Sequence, residues 1–138
     1  MKSLRINYLA VLAAAVVTFI LGAAWYIGFS ELWMKLAGLT EAQIQASGGG
    51  VSGYIISFIT YILGAYALAI LFKSMNISTV QTGAMTGALI GALIVGGNIF
   101  TNNAYELKPV GLSILNAGFS TISGAAMGAI LGGWKKYA

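Results

Sequence analysis

Four stretches of this sequence run for about 20 residues or more without one charged side chain: Tyr8–Ile27, Val51–Phe72, Thr79–Phe100 and Pro109–Trp134. A helix rises about 1.5 Å per residue, so each stretch is long enough to cross roughly 30 Å of hydrocarbon. Inside a bilayer the backbone must satisfy its own polar groups. The stretches are too long and too rich in glycine for strands, which leaves the helix. The expected fold is all-α: an integral membrane bundle of four transmembrane helices, forming a single domain over residues 1–138.

Composition points the same way. Hydrophobic residues make up 59% of the chain and charged residues 7%, where a soluble domain carries about 25% charged side chains. Lipid is the better solvent for such a surface. The net charge of +4 does not imply a nucleic-acid partner, because the basic residues form no stripe and mostly flank the apolar runs. Lys2 and Arg5 followed by an apolar run, with Gly22-Ala23-Ala24 after it, have the outline of a secretory signal. The run is longer than the roughly 7–15 residues of a cleaved signal core, so it reads as an uncleaved first span.

The connections carry local signals. In Gly28–Gly50, spacing of three and four sets Phe29, Leu32, Trp33 and Leu36 on one helical face, with Glu31 and Lys35 placed to pair on the other. This predicts a short interfacial helix between the first and second spans. Thr40 and Gln43 have capping-box spacing, which offers a further turn over Glu41–Ala46. Ser78 and Gln81 repeat that spacing before the third span, and the short Lys73–Ser78 link predicts that the second and third spans pack as antiparallel neighbours. Asn102 and Asn103 read as the C-terminal cap of the third helix, and Pro109 suits the first turn of the fourth.

With four spans, Lys2, Arg5, Lys73, Lys135 and Lys136 fall on one side, and Lys35 and Lys108 on the other. The richer side is expected to be cytoplasmic, with both termini there. Aromatic rings mark both boundaries: Tyr8, Phe72, Trp134 and Tyr137 on the inner side, and Trp25, Tyr26, Tyr54, Phe100 and Tyr105 on the outer side, near Trp33.

The strongest internal pattern is a set of small-residue ladders. Gly83, Gly87 and Gly91 recur every four residues before Gly96-Gly97, and Gly124, Gly128 and Gly132 do the same, extended backward by Ala117 and Thr121. Softer versions run through Ala10, Ala14, Thr18 and Gly22, and through Gly53, Ser57 and Gly64. Residues four apart share a helix face, and small ones there let two backbones approach closely. The ladders serve either packing inside one chain or a homo-oligomer.

No acid, base or histidine lies inside any predicted span, which disfavours proton-coupled transport. Neutral polar residues are present instead. Asn98 and Asn102, and Asn116 and Ser120, are pairs four apart, with Ser113, Ser123, Thr60 and Tyr61 elsewhere in the spans. They can line a polar path or bond one helix to another. The chain lacks histidine and cysteine, and its acids, Glu31, Glu41 and Glu106, are widely separated, so no metal site or cofactor is expected.

Asn7-Tyr8-Leu9-Ala10, Gly22, Trp25-Tyr26, Phe29 and Trp33 together resemble the opening of domain of unknown function 1761. Beyond Trp33 the resemblance is one of layout. It implies four helices in a bacterial membrane, and it brings no established substrate, cofactor or catalytic residue.

Three functions follow from these readings. The leading one is a non-enzymatic membrane protein that works through helix packing, as a small oligomer in the bacterial inner membrane, with lipid as its surroundings and no other partner identified. The second is a channel or facilitator for a small polar solute. The third is a membrane enzyme using Glu31, Tyr26 and Trp33 at the outer interface.

Overall fold

A computed structural model describes residues 4–137. Four helical stretches in it are long and apolar enough to cross a membrane: Tyr8–Gly28, Val51–Met75, Val80–Tyr105 and Val110–Gly133. They correspond to α1 (Tyr8–Gly28), α4 (Val51–Met75), a third stretch built of α5 (Val80–Leu89), a π-helical segment (Ile90–Val95) and α6 (Gly96–Tyr105), and α7 (Val110–Gly133).

Two short helices, not one, join α1 to α4: α2 (Ser30–Ala37) and α3 (Glu41–Ala46). Gly38 separates them in the left-handed conformation, at φ +73°. Thr40 then starts α3 with a complete capping box. Its hydroxyl accepts the Gln43 N–H at 3.2 Å, and its own N–H donates to Gln43 Oε1 at 2.8 Å. The link ends on Gly48, Gly49 and Gly50, all at positive φ, a run that only glycine adopts without strain. Leu36 packs over Gly111 at the start of α7, and Lys108 Nζ donates to Ala37 O at 3.4 Å. The expected apolar face is therefore divided: Trp33 and Leu36 turn inward, while Phe29 and Leu32 stay exposed. Glu31 and Lys35 form no ion pair, as is true of all the described residues.

The other turns shift the expected ends by a few residues. Thr79, not Ser78, caps α5 by accepting the Thr82 N–H at 3.1 Å. The third stretch does not stop at Asn102 but continues to Tyr105, and Pro109 stands just before α7 as its N-cap. α4 closes with Asn76 in the left-handed conformation, its N–H returning to Lys73 O while the Ile77 N–H returns to Phe72 O at 2.9 Å. That is a Schellman closure, and Ile77 is buried behind it.

The packing order departs from the chain order. α4 packs on α1, and α1 on α7; α5, the π segment and α6 all pack on α7, while α4 and α5 make no comparable contact. The short link does not make neighbours of the second and third spans, because Ile77 joins the core between α1, α4 and α7 and the glycine face of α5 fits only the glycine face of α7. That core comprises Ala10, Val11, Ala14, Ala65, Leu68, Ala69, Phe72, Ile77, Met127 and Leu131. Ala10 and Ala14 belong to it, and Thr18 and Gly22 continue the same buried face of α1. Gly53 and Gly64 of α4 instead face outward with nothing within 4 Å.

The ends of the chain are tied together. β1 (Leu4–Arg5) pairs antiparallel with β2 (Lys136–Tyr137), and Asn7 Nδ2 donates to Trp134 O at 3.3 Å. Asn7 also caps α1 through its Oδ1, which accepts the Ala10 N–H. Lys2, counted above in the topology, lies outside the described residues.

Candidate functional site

The two glycine ladders meet each other. Gly83 faces Gly128, Gly87 faces Gly124 and Gly91 faces Ser120, while Gly132 lies against Thr79 and Gly83. A side-chain carbon at Gly87 would overlap the carbonyl oxygen of Gly124 and lie 2.8 Å from its carbonyl carbon; one at Gly128 would meet Gly83 O in the same way. The contact is backbone against backbone. Each glycine therefore directs a Cα–H toward the opposite carbonyl, the geometry of weak Cα–H···O bonds that recur where helices pack closely.

The π segment keeps this seam continuous. A regular helix would carry the face from Gly91 to residue 95, but a π turn holds one more residue, and the face passes to Gly96. Gly96 is buried, with Ala117 Cβ 3.3 Å from where its side chain would start, whereas Gly97 meets nothing within 4 Å. Ser120 Oγ donates to Gly91 O at 2.7 Å, pinning the start of the wide turn to α7. The five-residue step from Gly91 to Gly96 was the one sign of this turn in the sequence.

A second assembly lies where α1 meets α2. Tyr26 donates its hydroxyl to Asn116 Oδ1 across 2.8 Å. Around that bond, Tyr26 packs edge-on against Phe119 (5.5 Å between centroids) and Trp33 (6.4 Å), and Trp25 lies 5.0 Å from Phe29. The Trp25 ring covers Gly118, and the Phe119 ring covers Gly22, 3.3 and 3.2 Å respectively from where those glycines' side chains would start. Tyr61 of α4 joins the group, its ring 6.5 Å from Phe119 between centroids. Gly22, Trp25 and Tyr26, well separated in sequence from α7, thus meet its Asn116–Phe119 turn, with Phe29 packed on Trp25 and Trp33 on Tyr26. Two buried polar atoms of α1, Thr18 Oγ1 and Trp25 Nε1, find no hydrogen-bond partner in the protein.

The four polar residues do not form one lining. Asn98 and Asn102 are exposed on α6, while Asn116 and Ser120 on α7 are half-buried and bonded to Tyr26 and Gly91. Asn103, read from the sequence as a cap, instead donates to Ser113 Oγ at 3.0 Å, joining α6 to α7. Trp134 is apart from all of these, at the tied ends of the chain, and is 45% exposed.

A family described as protein of unknown function (DUF1761) matches residues 9–132. The chain belongs to this family. The matched region takes in nearly all of the four long helices and both assemblies just described, and it leaves Asn7 and Tyr8 outside. No curated protein and no solved structure matches the chain. As a DUF1761 member it is a small bacterial integral membrane protein. The one charged side chain in its four long helices is Lys73, in the last turn of α4. Among the described residues, no three His, Cys, Asp or Glu side chains come close enough to hold a metal ion. The side chains gathered at both assemblies are suited to holding helices together.

Proposed function

We propose that this DUF1761 protein acts as a non-enzymatic membrane component whose packed helices are themselves the working part. The observation that carries this reading is the mutual use of the ladders: Gly83, Gly87 and Gly91 are matched by Gly128, Gly124 and Ser120 within one chain. The polar side chains support it as well, since Asn116 and Ser120 each bond a neighbouring helix. In this reading, Gly22 and the seam glycines hold the bundle, and Trp25, Tyr26, Trp33 and Trp134 set its depth at the two interfaces.

A small homo-oligomer belongs to the same proposal. With both glycine ladders engaged inside the chain, its contacts fall to the outward side of α4, where Gly53 and Gly64 are open beside exposed Tyr54, Ile56 and Leu63. The inner membrane is the proposed location, with both termini cytoplasmic, on the Lys and Arg distribution.

The test is reconstitution. Liposomes holding the purified protein should take up water, glycerol and small ions no faster than empty liposomes. A protein-dependent flux, abolished by Asn116→Leu, would replace this reading with that of a facilitator.

A further inference from the structure

We propose that the tied ends of the chain form a binding site for the anionic phosphate headgroup of a membrane phospholipid. Arg5, Lys73 and Lys135 come from three distant parts of the sequence and line one recess. Its floor is the buried apolar surface of Phe72, Ile77 and Leu131. The inner part has about 30 Å³ of free space, room for a single water or one phosphate oxygen. It adjoins an open groove of about 420 Å³ walled by Arg5, Ile6, Tyr8 and Lys73, wide enough for a phosphodiester.

The charges need an explanation. Lys73 and Lys135 lie at the C-terminal ends of α4 and α7, where the helix dipole favours a cation. Arg5 does not: it precedes the N-cap of α1, at the positive end of that helix. The β1–β2 pairing and the Asn7 bond to Trp134 O nevertheless hold it beside two like charges. All three acids of the sequence, Glu31, Glu41 and Glu106, follow the far ends of α1 or α6, across the length of the bundle. Among the described residues, no carboxylate side chain offsets the convergence.

A phosphate diester does. It supplies acceptor oxygens that suit a guanidinium fork and two ammonium groups. A lipid also explains the rest of the groove. Below Arg5, Tyr8 is 64% exposed and stacks on Tyr66 at 6.1 Å, and on α4 exposed Ile70 lies between Lys73 and Tyr66, so an apolar wall leads from the cations toward the bilayer interior. The headgroup rests on the cations and its chains lie along that wall. Basic pockets at the cytoplasmic ends of transmembrane helices bind anionic headgroups in this manner.

The experiment measures binding and melting of the purified full chain in neutral detergent with three probes: a phosphatidylglycerol, a phosphatidylcholine and inorganic phosphate. The proposal expects phosphatidylglycerol alone to be retained in native mass spectra and to raise the melting temperature. Arg5→Gln with Lys73→Gln should weaken retention on the order of tenfold, because each basic residue near the headgroup contributes to the attraction. Lys35→Gln with Lys108→Gln, at the opposite end, should leave it unchanged. If the Arg5 and Lys73 pair of changes fails to fold, Lys135→Gln alone should still reduce retention, since that side chain is exposed beyond α7. Equal retention of phosphatidylcholine, equal stabilisation by inorganic phosphate, or equal loss in the Lys35 and Lys108 control would each overturn the proposal.

Discussion

Gly87 of α5 and Gly124 of α7 face each other so closely that each lacks a side chain where the other places its carbonyl oxygen. The relationship is reciprocal, and Gly83 and Gly128 repeat it one turn along. Two helices held in this way by dispersion and Cα–H···O contacts have no slack for a methyl group.

Gly87→Leu and Gly128→Leu should therefore have the same effect, because they damage one seam from its two sides. Each is expected to lose about 3 kcal/mol or to fail to fold. Leu89→Ala, at a position 59% exposed, should stay within about 0.5 kcal/mol of the starting protein. Gly97→Ala should be neutral or raise stability by about 0.5–1 kcal/mol, since nothing lies within 4 Å of its missing side chain. Melting curves paired with light scattering read both outcomes. A Gly87→Leu protein that melts normally but has half the mass would assign the seam to an oligomer instead.

The π turn makes a second expectation. Deleting Leu93, which is 67% exposed within the turn, shortens the Gly91-to-Gly96 step to that of a regular helix and keeps both glycines on the α7 side. Folded yield should survive. Deleting Met85 in α5 rotates everything beyond it by about 100° and should abolish folding. Equal damage from the two deletions would mean that the extra residue has a role besides keeping phase.

Tyr26→Phe removes one hydroxyl and leaves the Asn116 carbonyl oxygen without its donor. A double-mutant cycle with Asn116→Ala should return a coupling of about 0.6 kcal/mol and at most about 1.7 kcal/mol, the average and maximum for interhelical bonds in a membrane protein. A coupling near zero would reduce the pair to a coincidence of packing.

Reporter fusions test the orientation. Fusions after Lys73 and Ala138 should report cytoplasm, and fusions near Gly49 and Tyr105 the outer side. A periplasmic signal after Ala138 would refute the arrangement with both ends inside.

Much of the fold was legible because its signals are local. Uncharged length marked the four long helices to within a few residues, and the Thr40–Gln43 spacing named a capping box that is present atom for atom. Spacing of four identified the faces that carry Gly83–Gly91 and Gly124–Gly132, but not their partner, since the same spacing serves a monomer or an oligomer. What stayed hidden depends on distant residues. The Tyr26 bond to Asn116 crosses 90 positions. The Schellman closure at Asn76 looked like an ordinary short link, and nothing local showed that it would carry the chain past α4 to the far side of α7. The short helix expected near Trp33 is α2, and the further turn over Glu41–Ala46 is a separate helix, α3, because Gly38 stands between them in the left-handed conformation.

α7 touches α1, α2, α4, α5, α6 and the π segment, yet it follows every one of them in the chain. Until it arrives, the glycine face of α5 has no opposing ladder, Gly91 O lacks the Ser120 hydroxyl, and Tyr26 has no amide to meet. α1 and α4 can already pair, through contacts such as Tyr8 on Tyr66 and Phe19 on Phe58, but the third stretch must wait in the bilayer, or beside the insertion machinery, without its partner. The third stretch joins the bundle only with α7, and β1 meets β2 only once the strand after α7 has been made. A nascent chain truncated before Val110 should thus be inserted with its third stretch unpacked, and open to quality-control proteolysis in a way that the chain carrying α7 is not.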